Sequence, residues 1–228
     1  MRPVERGEAP QEYAKYGDAI GDLEERLGNY CSYCERRLPA SLAVEHMSPK
    51  DLVPERKLDW DNFLLGCVNC NSVKGVKNLD DEACFWPDRD NTLRAIQYEA
   101  GGFVSVADDL GPTNRERAVE TINLVGLDRH GGLVGKKPAR RDKRWSQRDE
   151  AWEAAVMARN NYDELNQCEA ARNLVIQAAV GLGFFSVWLK VFGQYPEVIV
   201  RLIEAFKGTS ADCFGADFSF VNRPGGLI

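Results

Sequence analysis

The sequence predicts an α+β protein: a small module of two strands and a short helix, tied by four cysteines and embedded in a mainly α-helical chain. Three observations predict it. Two Cys-x2-Cys pairs, Cys31/Cys34 and Cys67/Cys70, are separated by 32 residues. Short apolar runs of strand length, one over Leu42–His46 and one opening "WDNFLLGCVNCNSVKG", come before the second knuckle. Beyond residue 110, apolar residues recur at helical spacing almost to the end of the chain. With 228 residues, 44% of them hydrophobic and 28% charged, the chain can bury a core of good size.

Tyr13, Tyr16, Ile20, Leu23 and Leu27 are spaced for a helix over 11–27, and Gly28-Asn29 ends it. A cysteine knuckle comes next, then a strand over Leu42–His46, then a loop marked by Pro49 and Pro54. "WDNFLLGCVNCNSVKG" reads as a second strand, a second knuckle and a short helix closing near Gly75. Residues 80–112 are acidic and turn-rich, with "GGFVSVADD" as a strand or hairpin edge. "TNRERAVETINLVGL" predicts a helix with Val119, Ile122, Leu124 and Val125 on one face and Thr113 or Asn114 as N-cap. From Ser146 onward the pattern is one long helix or two, then a helix over "YPEVIVRLIEAF" and a coil tail. The predicted organisation is an N-terminal helix over 1–29, the cysteine module over 30–79, an acidic connection with a helix and a basic loop over 80–145, and a helical region over 146–228.

The apolar stretch Leu174–Phe192 is interrupted by Gln177, Gly181, Gly183 and Lys190, which favours a buried helical region over a membrane span. The opening "MRPVERGEAP" has no apolar signal-peptide core. The expectation is a cytoplasmic protein with no membrane partner. Net charge is −6, the wrong sign for a general nucleic-acid binder. Its distribution is uneven: 129–148 hold eight Lys or Arg against one acid, whereas 80–128 hold four against eleven. Arg140, Arg141 and Arg144 of that basic stripe, with Lys74 and Lys50, are the candidate nucleic-acid contacts, and Arg56 and Lys57 are weaker ones. For each, an ordinary solvated surface charge is the competing assignment.

Seven cysteines is an odd number, and the paired spacing of four favours a metal over disulfides. Four thiolates suit tetrahedral Zn²⁺ in a closed, structural shell. Cys84, Cys168 and Cys213 lack paired spacing and read as core or surface thiols, and His130 as structural or exposed. Between the pairs stand Glu45 and His46 at a strand end, with Asn62 and Asn71 further on. Singly, each has an ordinary reading: a structural histidine, a turn asparagine, a helix cap. Together they hold an imidazole that titrates near neutrality and two hard oxygen ligands for a divalent cation, the equipment of phosphodiester hydrolysis. One geometric obstacle stands: adjacent strand residues point to opposite faces. Glu45 and His46 share a site only if the strand ends or bulges there.

"YCSYCER", "VEHMSPK" and "WDNFLLGCVNCNSVKG" together resemble the zinc-containing HNH endonucleases of the ββα-metal fold, over residues 28–78. The resemblance implies that His46 is the general base, that Glu45 and Asn71 ligate a catalytic Mg²⁺ or Mn²⁺, and that Asn62 holds the base or its loop. It implies DNA hydrolysis leaving 5′-phosphate and 3′-hydroxyl ends. This chain departs from the name by carrying Asn71 where the last histidine stands, and an amide oxygen is a hard ligand suited to Mg²⁺. A looser resemblance, which adds "RAVETINLVGLDR", is to the HNH nuclease subunits of bacterial anti-phage systems such as Septu and the retron-associated nucleases. It implies a controlling ATPase partner and leaves a homo-oligomer open. "FFSVWLKVF" and "VIVRLIEAF" then serve either as core or as a partner face. The alternative from another class is a non-catalytic zinc-knuckle module that recruits nucleic acid or protein.

Overall fold

In a computed structural model, which describes residues 1–80, 82–132 and 141–228, the two apolar runs pair as antiparallel strands. These are β1 (Leu42–His46) and β2 (Phe63–Cys67), with His46 opposite Phe63, Glu45 opposite Leu64 and Leu42 opposite Cys67. All five residues of β2 are buried, so its apolar run has no polar alternation. Helix α1 (Ile20–Leu27) and helix α2 (Val68–Lys74) pack against this hairpin. α2 starts directly from β2: Cys67 is its N-cap, and the Cys67 sulfur accepts from the Cys70 amide. Gly75, at φ 54°, ends it.

The helix expected over 11–27 is shorter. A 3-10 turn over Tyr16–Ala19 leads into α1, and residues 11–15 are not helical. Tertiary packing overrides the periodicity there. Tyr13 stacks on Trp60 at 5.9 Å between ring centroids, and its hydroxyl donates to Asp22 at 2.8 Å.

Helix α3 (Thr92–Ala95) leads into a second antiparallel hairpin, β3 (Ile96–Glu99) and β4 (Phe103–Val106), as "GGFVSVADD" suggested. Helix α4 (Pro112–Val125) is capped by Gly111 with Pro112 as its first residue, not by Thr113 or Asn114. The fixed φ of proline is preorganised for that position. Ala118, Thr121, Ile122, Leu124 and Val125 are its buried residues, whereas Val119 is 41% exposed, contrary to the predicted face.

The long C-terminal pattern is two helices, α5 (Arg144–Glu164) and α6 (Glu169–Leu182), broken where Asn166 and Gln167 take φ 52° and 57°. α5 begins two residues before Ser146. Helices α7 (Phe185–Val191) and α8 (Pro196–Ala205) complete the set. The Leu174–Phe192 stretch is thus divided between α6 and α7, and no helix among the described residues is long and apolar enough to cross a membrane. One buried cluster runs from Leu23, Phe63 and Leu65 through Ile122 and Leu124 to Trp188, Phe192 and Leu202. "FFSVWLKVF" is therefore core, and the hairpin with its cysteines is seated on the C-terminal helices.

Candidate active site and metal centre

The cysteine centre is built from two turns. In the first, the Cys31 amide donates to the Arg36 carbonyl at 3.0 Å and the Glu35 amide to the Cys31 carbonyl at 2.9 Å, folding Cys31 and Cys34 back on one another. The second is the β2–α2 junction, where Cys67 and Cys70 lie one helical turn apart. All four cysteines are buried and their sulfurs lie within 4.8 Å of one another. Zn–S bonds of about 2.3 Å in a tetrahedron place sulfurs about 3.8 Å apart, and Cys34 Sγ and Cys67 Sγ stand at 3.7 Å. The set fits a four-thiolate metal.

Two guanidiniums lie against that set. Arg144 Nη1 donates to Cys70 Sγ at 3.1 Å, and Arg144 pairs with Asp142 at 2.7 Å. Burial works against the charge of Arg144, but Asp142 and the Cys70 and Cys34 sulfurs outweigh it and hold its pKa well above the ordinary value. Arg36, half buried, keeps a raised pKa because the Cys34 and Cys67 sulfurs offset its desolvation. Arg144 is therefore a buried support of the cysteine centre, 2% exposed, and not a nucleic-acid contact. Arg148 of the basic stripe is likewise buried, donating to the Gly102 and Leu127 carbonyls. Among the candidate contacts of the stripe, Arg141 is exposed, and Arg140 lies outside the described residues.

The second site opens at the end of β1. A pocket of about 400 Å³ is lined by Glu45, His46, Asn71, Lys74 and Lys50, with Tyr16 as one wall. Glu45 and His46 therefore reach one cavity despite being neighbours in a strand. They do so because β1 terminates at His46 and the chain turns away through "MSPK". Gly66 on β2 leaves the space for Glu45: a Cβ there would sit 2.9 Å from the Glu45 Cβ.

The His46 ring is 7% exposed and lies edge-on to Tyr16 at 4.9 Å and to Phe63 at 5.2 Å. Its Nε2 stands 3.0 Å from the Lys57 carbonyl. A carbonyl only accepts, so Nε2 carries the proton, and in the neutral ring Nδ1 has the lone pair. Burial pushes the His46 pKa below its ordinary value against the pull of the Lys57 carbonyl, and Lys50 and Lys74 push it the same way as burial. Burial raises the Glu45 pKa, opposed chiefly by Lys74.

Asn62 is fully buried. Its Oδ1 accepts from the Ser48 amide at 2.7 Å, and its Nδ2 donates to the Ser48 and Arg56 carbonyls at 2.9 and 3.0 Å. It clasps both ends of the loop that carries the Lys57 carbonyl to His46. Asn71 is half-buried on α2 and lines the pocket.

Lys74 differs from its expected position. It is 2% exposed, with Nζ 3.0 Å from Glu45 Oε1 and 2.7 Å from the His46 carbonyl oxygen. It is not placed at the surface to meet a phosphate. Lys50, half-buried, lies over Tyr16 at 5.5 Å, and Lys57 is exposed. Arg56 is engaged by Asp59 at 2.8 Å and Ser48 Oγ at 3.0 Å.

His130 is structural: its Nε2 bonds the Gly101 carbonyl at 2.8 Å and its ring stacks on Phe103 at 4.1 Å. Cys84 and Cys213 are buried and Cys168 is exposed. Sequence reasoning missed Tyr16, Asp142 and the Lys74–Glu45 pair. Only the last carried a signal, since Asn71-x2-Lys74 places both residues near one face of a helix.

Two comparisons with known proteins bear on the module and on the chain. A family model described as HNH endonuclease matches residues 31–77. Over 138 residues the chain is 30% identical to the Septu protein PtuB of Bacillus thuringiensis, a match covering 55% of this chain and 51% of that protein. The chain thus spans about half the length of the curated relative it matches. Residues 31–77, which hold the hairpin, α2 and all four clustered cysteines, are thus the part of the chain that is similar to the HNH endonuclease family.

Proposed function

We propose that this chain is a divalent-metal-dependent DNA endonuclease and the nuclease component of a bacterial anti-phage system that acts with an ATPase. The observation that carries the nuclease reading is the single pocket that gathers His46, Glu45 and Asn71, with the His46 ring oriented by a loop that Asn62 clasps. In this reading Glu45 and Asn71 would hold Mg²⁺ or Mn²⁺, which would supply neutralisation of charge on the phosphate and the leaving oxygen. His46 Nδ1 takes the proton of the attacking water, while Nε2 stays bonded to the Lys57 carbonyl and fixes the tautomer. Tyr16 and Phe63 hold the imidazole plane. Asn62 acts through the loop as a positioning residue. The four cysteines would hold Zn²⁺, which would tie the β2–α2 junction that carries Asn71 and take no part in the chemistry.

The defence role rests on the similarity to the Septu protein PtuB, the ATPase partner on the resemblance to the HNH subunits of anti-phage systems, and the cytoplasmic setting on the sequence reading of the N-terminus. DNA contact falls to Lys50, Lys57 and Arg141, with Arg140 added from the sequence. The deciding experiment is plasmid nicking in Mg²⁺ by wild type and His46→Ala, with and without the products of neighbouring genes. Loss of nicking in the variant supports the mechanism. Equal nicking by both removes His46 as the base, and absence of nicking in every combination favours a non-catalytic zinc-knuckle module.

A further inference from the structure

The ammonium of Lys74 is buried between two oxygens, Glu45 Oε1 at 3.0 Å and the His46 carbonyl at 2.7 Å. Its side chain is 1% exposed and that of Glu45 is 4% exposed. A buried carboxylate is costly to leave without a cation, and one bound only by a dissociable metal would be uncompensated whenever the metal left. Lys74 fills that need with a cation of the chain itself. The charged lining of the pocket is Glu45 and Asp51 against Lys50 and Lys74, so with His46 neutral it sums to zero. The protein offers a divalent ion no net negative charge there.

We propose that Lys74 is a built-in counter-cation of Glu45, one that competes with the divalent ion for the same carboxylate. It keeps the pocket folded when the ion is absent. It also weakens ion binding, so the free chain loads only at concentrations that a carboxylate without this neighbour would not require. The inference rests on the reading of Glu45 as a metal ligand and assigns Lys74 a role in the site other than phosphate contact.

The test is Mn²⁺ binding to the full chain, loaded with zinc on its cysteines, followed by the spin signal of free Mn²⁺ for wild type, Lys74→Met and Glu45→Gln. Lys74→Met is expected to bind Mn²⁺ about tenfold more tightly than wild type, since a like charge a few ångström away in a partly buried site is removed. Mn²⁺ should also raise its melting temperature more than that of wild type. Binding no tighter than wild type, with Glu45→Gln abolishing it, overturns the role of Lys74 and leaves Glu45 as a ligand. Unchanged binding in Glu45→Gln overturns the ligand reading and this inference with it. If Lys74→Met fails to fold without metal, recovery of the fold in Mn²⁺ supports the proposal, and failure to recover overturns it.

Discussion

His46 and Asn62 show how little of a residue's chemistry is intrinsic to it. An isolated imidazole titrates near neutrality and offers either nitrogen. Here the Lys57 carbonyl accepts a hydrogen bond from Nε2–H, and burial favours the neutral ring. His46→Ala is expected to lower plasmid nicking by about 10²–10⁴-fold, the usual contribution of a general base, with circular dichroism unchanged. The base works unprotonated, so the rate should rise with pH along a curve whose midpoint lies below 6.5 and level off by neutrality. A bound divalent ion moves that midpoint the same way. The stability linkage has the matching sign. The unfolded imidazole binds its proton at the higher pH, so the contribution of His46 is present above 6.5 and is lost as pH falls through the folded value. Asn62 makes three loop-closing hydrogen bonds while fully buried. Asn62→Ala should cost about 1–3 kcal/mol in urea unfolding, because the Ser48 and Arg56 groups lose their partner. It should also lower nicking by releasing the loop.

At the scale of elements, the hairpin and α2 are one device. β2 delivers Cys67 directly into the N-cap of α2, so a metal held by the four clustered cysteines would also fix the helix carrying Asn71 and Lys74. Metal analysis should give about one zinc per chain. Removing it with a chelator should melt the hairpin and α2 together and abolish nicking, and Mg²⁺ alone should not restore either. A zinc-stripped chain that still cuts would break this link. Gly66 matters for a different reason: its missing side chain is the space that Glu45 occupies. Gly66→Ala should displace the Glu45 carboxylate and weaken Mn²⁺ binding, with the zinc content unchanged.

At the scale of the whole molecule, Arg144 joins the C-terminal helices to the cysteine centre. It starts α5, bonds Cys70 and the Val125 and Gly126 carbonyls, and pairs with buried Asp142. Arg144→Ala strands the Asp142 carboxylate and should cost about 3–5 kcal/mol. Unlike Arg141→Ala, a conservative Arg144→Lys should leave the salt dependence of DNA binding unaltered. The two variants, compared by binding over a salt series, separate structural from phosphate-facing members of the basic stripe. The stripe looks uniform in sequence because charge counts carry no information on burial. Arg144 and Arg148 are inside, bonded to carbonyls of the 101–127 region, and Arg141 is outside.

The sequence by itself determined the cysteine spacing, the two strands and the α2 helix with its closing glycine, and it singled out His46, Glu45, Asn62 and Asn71 as candidates. These are local properties: they depend on side-chain type and on periods of a few residues. Tertiary structure alone decided what those side chains meet. That Glu45 and His46 share a cavity depends on where β1 stops. That Lys74 faces Glu45, and Arg144 faces Cys70, depends on which distant segments pack there and exclude water. Residues 11–15 also leave the helical pattern where a distant segment packs, with Tyr13 against Trp60 and Phe63. A lysine or arginine in a sequence is read as a surface charge because burial is costly for an isolated ion. In this chain a carboxylate and a cluster of sulfurs offset that cost, and they come together only when the chain is folded.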